Sequence, residues 1–241
     1  MTVGALAVGG FLLSACGSTA SSAPAGLQGK SGKALISAAK AAVLAKGSVT
    51  LQQIEKINGE TETATIYSSL SGASGTTSGG FGAGTLIQTS TNMYFKENAS
   101  LLASQFTSGS NLSKWAGKWI DVPSTNAEYA SLATGDLLQS GLSQNLPVGP
   151  FTTLGIETYK GHKVFAVRGQ LSAAFTGGAK ATSKSTMYLS LTKPYLPVAI
   201  VFTVKSSGIN GSGSLVFTGY GQVKALTPPT GSTLITKTSL G

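Results

Sequence analysis

The C-terminal part of this 241-residue chain alternates between apolar and polar residues in one run after another. In the run 198–205, for example, Val198, Ile200, Phe202 and Val204 fall on one side and the residues between them fall on the other. A period of two is typical of β-strands with one buried face. From residue 151 onward the sequence therefore predicts strands only, at 152–159, 162–170, 185–191, 198–205 and 213–220, with turns at 160–161 and 211–213.

One amphipathic helix is predicted ahead of the strands, over residues 33–46. Leu35, Ala39 and Val43 recur every four residues, so one side of this alanine-rich segment is apolar. Gly47 follows, and glycine is the residue type that most often ends a helix in the left-handed conformation. We therefore expect the helix to end there.

Hairpins are predicted in the N-terminal part of the chain. Asn58-Gly59 is typical of a two-residue hairpin turn, and the sequence alternates on both sides of it. The predicted strands are 49–57, 61–70, 85–89, 92–96 and 118–122, the last of which ends at Pro123. Together with the C-terminal runs, they make a sheet of nine or more strands.

Two other segments interrupt the strand pattern. The stretch 71–84 contains six glycines, and we expect a long loop or the irregular end of a hairpin there. Further on, Thr125 and Glu128 have the spacing of a capping box, and leucines follow them. Two short helices are predicted over 125–142, because Gly135 interrupts the run.

These elements predict an α+β fold. A twisted sheet of so many antiparallel strands cannot stay flat, so it curls and presents a concave face. We expect a curled antiparallel sheet, or half-barrel, with a few helices packed on its concave face.

The charge balance restricts the partners of the chain. Lysine and arginine total 17 against 8 aspartate and glutamate, but Arg168 is the single arginine. Because arginine dominates phosphate and base recognition, no nucleic acid is expected as a partner. The lysines are expected either to meet anionic lipid headgroups or simply to keep the surface solvated.

The residues that catalysis needs are scarce. His162 is the single histidine and Cys16 the single cysteine, so no set of nitrogen and sulfur ligands for a transition metal can be assembled. The eight carboxylates are scattered, and Glu60 and Glu62 are better explained as a solvated pair beside a turn than as an acid and a base. The sequence predicts no enzyme, no catalytic residue, no metal and no cofactor.

The N-terminal segment has the features of an export signal. An apolar stretch, 3–13, leads into Leu13-Ser14-Ala15-Cys16, which resembles a bacterial lipobox. In a lipobox the cysteine is acylated and becomes the new N-terminus, so Cys16 is the predicted lipidation site and membrane anchor. We expect a signal peptide over 1–15, the lipidated cysteine and a flexible tether over 16–32, and a single half-barrel domain over 33–241.

The order of several short segments resembles the LppX/LprG-type lipoproteins of actinobacteria, which are similar in architecture to the LolA/LolB lipoprotein carriers. The matching segments are Leu13-Ser14-Ala15-Cys16, Met93-Tyr94-Phe95-Lys96, 114–123, 184–189, 196–200, 215–221 and Thr227-Pro228-Pro229. The resemblance implies an antiparallel half-barrel wrapped around helices, with an apolar cavity that takes the acyl chains of lipids or glycolipids.

Twelve apolar residues are the candidate lining of that cavity. Most of them are same-face positions on neighbouring predicted strands, and two lie in the predicted helical pair. They are Ile66, Leu86, Phe165, Val167, Met187, Leu189, Ile200, Phe202, Leu215, Phe217, Leu132 and Leu137. Two outcomes stay open at this point: the helices fill the concave face completely, or they leave space for lipid.

Two functions follow from these alternatives. The first is a membrane-anchored lipoprotein that binds lipid or glycolipid acyl chains, such as palmitate, and carries them across the cell envelope from the outer face of the membrane. Burying a sixteen-carbon chain would contribute roughly 12 kcal/mol before ordering costs. The second is a non-enzymatic accessory lipoprotein with a filled core that docks an envelope transporter or enzyme.

Overall fold

The computed structural model describes residues 22–80, 82–105, 112–125, 137–173, 181–206 and 209–234. The helices are α1 (Gly32–Lys46), α2 (Ala99–Gln105), α3 (Leu112–Trp115) and α4 (Leu137–Asn145). The strands are β1 (Ser48–Ile57), β2 (Glu60–Ser69), β3 (Gly72–Gly79), β4 (Gly82–Thr89), β5 (Asn92–Glu97), β6 (Ile120–Pro123), β7 (Val148–Tyr159), β8 (His162–Gln170), β9 (Thr182–Leu189), β10 (Pro197–Ser206), β11 (Ile209–Thr218) and β12 (Thr233–Leu234).

All twelve strands belong to one open sheet in the order β12-β6-β5-β4-β3-β2-β1-β11-β10-β9-β8-β7. From β1 toward one edge of the sheet, strands β2 to β6 follow in chain order. From β1 toward the other edge, strands β11 to β7 follow in reverse chain order. The two series join where β1 pairs with β11, with Leu51 opposite Phe217 and Gln53 opposite Leu215. Every pair is antiparallel except β12 with β6, which is parallel. The predicted curled α+β half-barrel is confirmed, with this one parallel pair added.

Helix α1 forms where the sequence predicts it. The Ser31 side chain caps its first turn by accepting a hydrogen bond from the Ala34 backbone N–H at 3.3 Å. Gly47 ends it in the left-handed conformation with φ of 73°, as expected for a glycine at this position. The next turn, at Asn58 and Gly59, joins β1 to β2 with positive φ at both residues, which confirms the predicted hairpin.

The glycine-rich stretch is a strand, which corrects the loop predicted over 71–84. Strand β3 pairs with β2 on one side and β4 on the other. A methyl group on Gly75 would lie 2.8 Å from the Thr65 carbonyl oxygen, so glycine allows the neighbouring backbone to approach closely there. Glycine has a low propensity for strands. The backbone hydrogen bonds to β2 and β4 on both sides offset that low propensity.

Two further boundaries differ from the prediction. The turn expected at 211–213 is part of β11, where Gly213 lies opposite Phe202 of β10. A methyl group on Gly213 would lie 2.6 Å from the Phe202 ring. Glycine is therefore needed here because the Phe202 ring packs over it, and it does not form a turn. Helices α2 and α3 were not predicted, because neither short segment carries a helical apolar period.

The predicted helical pair over 125–142 is described only in part. Residues 126–136 lie outside the described residues, and α4 covers 137–145. Leu138 and Leu142 of α4 are buried, as the leucine pattern indicates.

The packed part of the chain begins before the predicted boundary at residue 33. Leu27, in the segment predicted as a tether, is 1% exposed and belongs to the main apolar cluster with Leu35 and Val43. Its backbone N–H donates to the Pro24 carbonyl oxygen at 2.8 Å, so a turn holds the side chain against the core. The stretch next to α1 is therefore part of the folded body.

Truncation of Leu27 tests this assignment. Leu27→Ala removes a fully buried side chain, and we expect the free energy of unfolding to fall by about 2–5 kcal/mol in a urea titration. Leu70→Ala is the control, since Leu70 is 55% exposed, and it should change the stability by less than about 0.5 kcal/mol. Equal effects of the two variants would show that Leu27 does not contribute to the core.

Candidate functional site

Helices α1 and α4 pack on one face of the sheet, which we call the inner face; the opposite side is the outer face. On the inner face the strand register places apolar residues side by side. Leu215 lies opposite Ile200, Ile200 opposite Met187, and Met187 opposite Val167. The candidate lining residues whose side chains the structure describes therefore share one face: Ile66, Leu86, Phe165, Val167, Met187, Leu189, Ile200, Phe202, Leu215 and Phe217.

Most of these side chains are covered by helices. The main cluster joins α1 and α4 to the inner face of β1 and β8–β11, and its described members are at most 8% exposed. It includes seven of the candidates: Phe165, Val167, Met187, Leu189, Ile200, Leu215 and Phe217. In this part of the concave face the helices occupy the space between the sheet's side chains.

Phe202 and Leu86 lie outside the main cluster. Phe202 packs with Leu171 and Val204. Leu86 packs against a second cluster, formed by β5, β6 and α2, whose centre includes Phe95 and Leu102. The concave face is thus filled in separate regions and not by one continuous core.

Between the main cluster and the second cluster the structure contains a cavity of about 140 Å³. It is bounded on the inner face by Ile66, Ala73, Gly75, Thr77, Gly84, Leu86 and Glu97, with Ser74, Thr76 and Thr85 beside them. Of the predicted lining residues, Ile66 and Leu86 reach this cavity. Ile66 lies directly opposite Gly75, and Gly75 lies opposite Leu86.

Small residues create this space. Gly75 and Gly84 present no side chain to the inner face, and Ala73 presents only a methyl group. These positions belong to the glycine-rich stretch, for which the sequence predicts a loop or the irregular end of a hairpin. The available signal was the alternation of small residues at 73, 75 and 77, a period of two without large apolar side chains.

The cavity volume limits what fits between the elements as they stand. An apolar cavity of about 150 Å³ holds a molecule the size of benzene, whereas pockets for drug-sized ligands measure about 300–1,000 Å³. A cavity of 140 Å³ thus accommodates one end of an acyl chain.

Carboxylates lie on the inner face beyond the apolar residues. Glu55 is opposite Glu62 in the β1–β2 hairpin, and Glu97 borders the cavity. Burial raises the pKa of Glu55, a 2.7 Å hydrogen bond from the Gln53 side chain lowers it in part, and the charge of Glu62 raises it further. This end of the inner face disfavours an anionic ligand group.

Some candidates cannot be placed. Leu132 and Cys16 lie outside the described residues, and so does the Leu137 side chain, although the backbone of Leu137 begins α4. Lining by Leu132 and Leu137 and lipidation of Cys16 stay predictions.

The described residues hold no group of three or more histidine, cysteine, aspartate or glutamate side chains that could bind a metal ion. His162 is exposed at the start of β8. In the same described part of the chain, no helix combines the length and apolarity needed to cross a bilayer.

Comparisons with known proteins give structural similarity at low sequence identity. No family model matches the chain, and no curated protein does. Among solved structures, lipoprotein LppX of Mycobacterium tuberculosis has a TM-score of 0.48 and 14% identity, covering 81% of this chain and 99% of its own. LprF from Mycobacterium bovis has a TM-score of 0.46 and 15% identity, covering 84% and 97%.

A LolA superfamily protein from Nitrosomonas europaea also matches, with a TM-score of 0.28 and 8% identity over 78% of this chain and 92% of that one. The sequence resemblance is to the LppX/LprG-type lipoproteins, which are similar in architecture to the LolA/LolB carriers. At these identities the similarity concerns the fold alone.

The raised pKa of Glu55 predicts a specific pH dependence. Between its ordinary pKa and its raised pKa the folded chain binds more protons than the unfolded chain, so this group makes stability fall as pH rises through that interval. Glu55→Gln keeps an oxygen for the Gln53 hydrogen bond and carries no charge. Its free energy of unfolding should exceed that of the unaltered chain at pH 7, and the difference should vanish below the ordinary pKa.

Urea unfolding at a series of pH values measures this difference. Glu60→Gln is the control, because Glu60 is exposed at the same hairpin. A Glu55→Gln variant that is less stable than the unaltered chain at pH 7 would contradict the assignment.

Proposed function

We propose that this protein is an extracytoplasmic lipoprotein, anchored to the membrane through acylated Cys16, that binds an acyl chain of a lipid or glycolipid on the inner face of its sheet and carries it across the cell envelope. The observation that carries the proposal is the apolar cavity between the main and second clusters. Ile66, Leu86 and the small residues of β3 and β4 bound it. No catalytic group is needed, because a carrier acts by shielding the chain from water.

The size of the cavity determines how binding would occur. Each buried methylene contributes about 0.8 kcal/mol, so a long chain is held tightly only if most of it is covered. Since 140 Å³ takes one end of the chain, the rest must lie where a helix now packs. Helix α4 contacts β2 and β3 beside the cavity, so its displacement from the sheet would lengthen the space.

The carboxylates favour one class of headgroup. Glu55, Glu62 and Glu97 share the inner face with the cavity, so a neutral headgroup that donates hydrogen bonds suits this surface better than a phosphate or a free carboxylate. A sugar headgroup has many hydroxyl donors. Glycolipid is therefore the ligand that we favour among lipids.

Filling the cavity tests the proposal. Ala73→Phe places a ring in the space beside Gly75, and we expect the binding of a fluorescent, esterified acyl probe to weaken by about tenfold, the equivalent of about two buried methylenes. Fluorescence titration of the purified chain measures the dissociation constant. Ala83→Phe is the matched control, because Ala83 is exposed on the outer face of β4.

A second variant guards against loss of the fold. Overpacking costs about 1–3 kcal/mol, so circular dichroism and urea unfolding accompany each titration. Thr77→Phe has small neighbours on both sides, Ala64 and Gly84, and tolerates the ring more easily. Probe binding that is unchanged in folded Ala73→Phe and Thr77→Phe would contradict the proposal. So would a loss of binding in Ala83→Phe as large as the loss in these two variants.

The second candidate function is an accessory lipoprotein that docks an envelope transporter or enzyme. The observation in its favour is the packing of α1 and α4 into the main cluster, where Val43, Leu138 and Met187 are at most 1% exposed. Such a protein would bind no acyl probe, and crosslinking in its host would capture one stoichiometric partner.

A further inference from the structure

The outer face of the sheet carries a second depression, of about 420 Å³. It lies on the side opposite the helices, over β1, β9, β10 and β11. Lysines and small polar residues line it, among them Lys56, Lys184, Lys205, Thr182, Thr203, Asn210 and Ser212. We call it the basic depression.

The strand register brings its lysines together. Lys56 lies opposite Ser212, Ser212 opposite Thr203, and Thr203 opposite Lys184. Four adjacent strands about 4.8 Å apart place the Cα atoms of Lys56 and Lys184 about 14 Å from each other. Lys205, two residues from Thr203 on the same face, completes the group.

The sheet separates charges of opposite sign at this end. Successive residues of a strand point to opposite faces. Glu55 and Glu62, which lie opposite each other in the β1–β2 hairpin, are therefore on the inner face, while Lys56, next to Glu55 in β1, is on the outer face. No carboxylate is among the residues that line the basic depression. Its lysines are exposed, so they reach an external partner without rearrangement.

We propose that the basic depression docks on anionic phospholipid headgroups of the membrane surface. The hydroxyl and amide groups of Thr182, Thr203, Ser212 and Asn210 supply hydrogen-bond donors between the lysines. The open shape and the 14 Å spread suit several headgroups in a plane, whereas one free phosphate would need an enclosed site. Lysine carries charge without the planar fork that favours nucleic acid.

The docking orients the chain. With the outer face on the membrane, α1 and α4 face away from the bilayer, and the inner-face cavity opens toward whatever accepts the ligand. Each lysine near an anionic surface raises the affinity of the protein for the membrane about fivefold. The three lysines together therefore predict about a hundredfold preference for anionic vesicles.

Vesicle cosedimentation tests the proposal with the full chain carrying Cys16→Ser, so that acylation does not contribute. Partitioning is compared between vesicles of phosphatidylcholine alone and vesicles that also contain phosphatidylglycerol. The triple variant Lys56→Gln, Lys184→Gln and Lys205→Gln should lose most of the preference for phosphatidylglycerol.

The matched control removes the same charge elsewhere. Lys33, Lys114 and Lys118 are exposed on or beside the helices, and their triple change to glutamine should reduce the preference by less than about fivefold. Equal losses in the two triple variants would show that net charge alone acts and would overturn the proposal. So would an unchanged preference in the first variant.

Two competitors distinguish a lipid surface from a free phosphate and from a nucleic acid as the anionic partner. Inorganic phosphate should release the chain from vesicles no better than sodium chloride of equal ionic strength. A stronger effect of phosphate would overturn the proposal in favour of a single-anion site, and displacement by a short oligonucleotide would overturn it in favour of nucleic acid. Acyl-probe binding should be unchanged in the lysine variants, so this test is independent of the proposed carrier function.

Discussion

The packing of α1 and α4 against the inner face of the sheet is the interaction on which the rest of the structure depends. An open twelve-stranded sheet that is apolar on one side is stable in water only if something covers that side. The main cluster supplies the cover, since Leu35 and Val43 of α1 and Leu138 of α4 are at most 2% exposed against Met187 and Ile200 of the sheet. Leu27 extends the same cover toward the N-terminus.

The same requirement explains the position of the cavity. Large side chains from β8–β11 meet the helices closely, whereas β3 presents alanine, glycine and threonine to the inner face and β4 presents Gly84 beside Leu86. Helix α4 contacts β3, but residues of that size do not fill the space beside it. A space therefore remains between the main and second clusters, and a bound apolar group would cover its apolar walls.

Much of the fold follows from sequence patterns that are local. The alternation of Val198, Ile200, Phe202 and Val204, the Asn58-Gly59 turn and the end of α1 at Gly47 each depend on neighbouring residues, and each is found in the structure. The set of apolar residues on the inner face was predictable for the same reason, because a period of two assigns every second residue of a strand to one face.

The remaining features depend on distant contacts. Strand β3 forms because β2 and β4 pair with it, since the glycines within 72–79 have a low propensity for strands. The burial of Leu27 depends on a core assembled from α1, α4 and five strands. Likewise, sequence placed Met187 and Ile200 on the correct face but could not tell that helices fill the space above them.

Native mass spectrometry of the chain with Cys16→Ser, purified from a lipid-rich host without detergent, measures whether the protein holds a lipid. An acyl-chain carrier should give a one-to-one complex whose released ligand carries a long acyl chain. An unliganded mass that persists after incubation with added glycolipid and phospholipid would show that the chain binds no lipid, and would leave the accessory lipoprotein with a filled core.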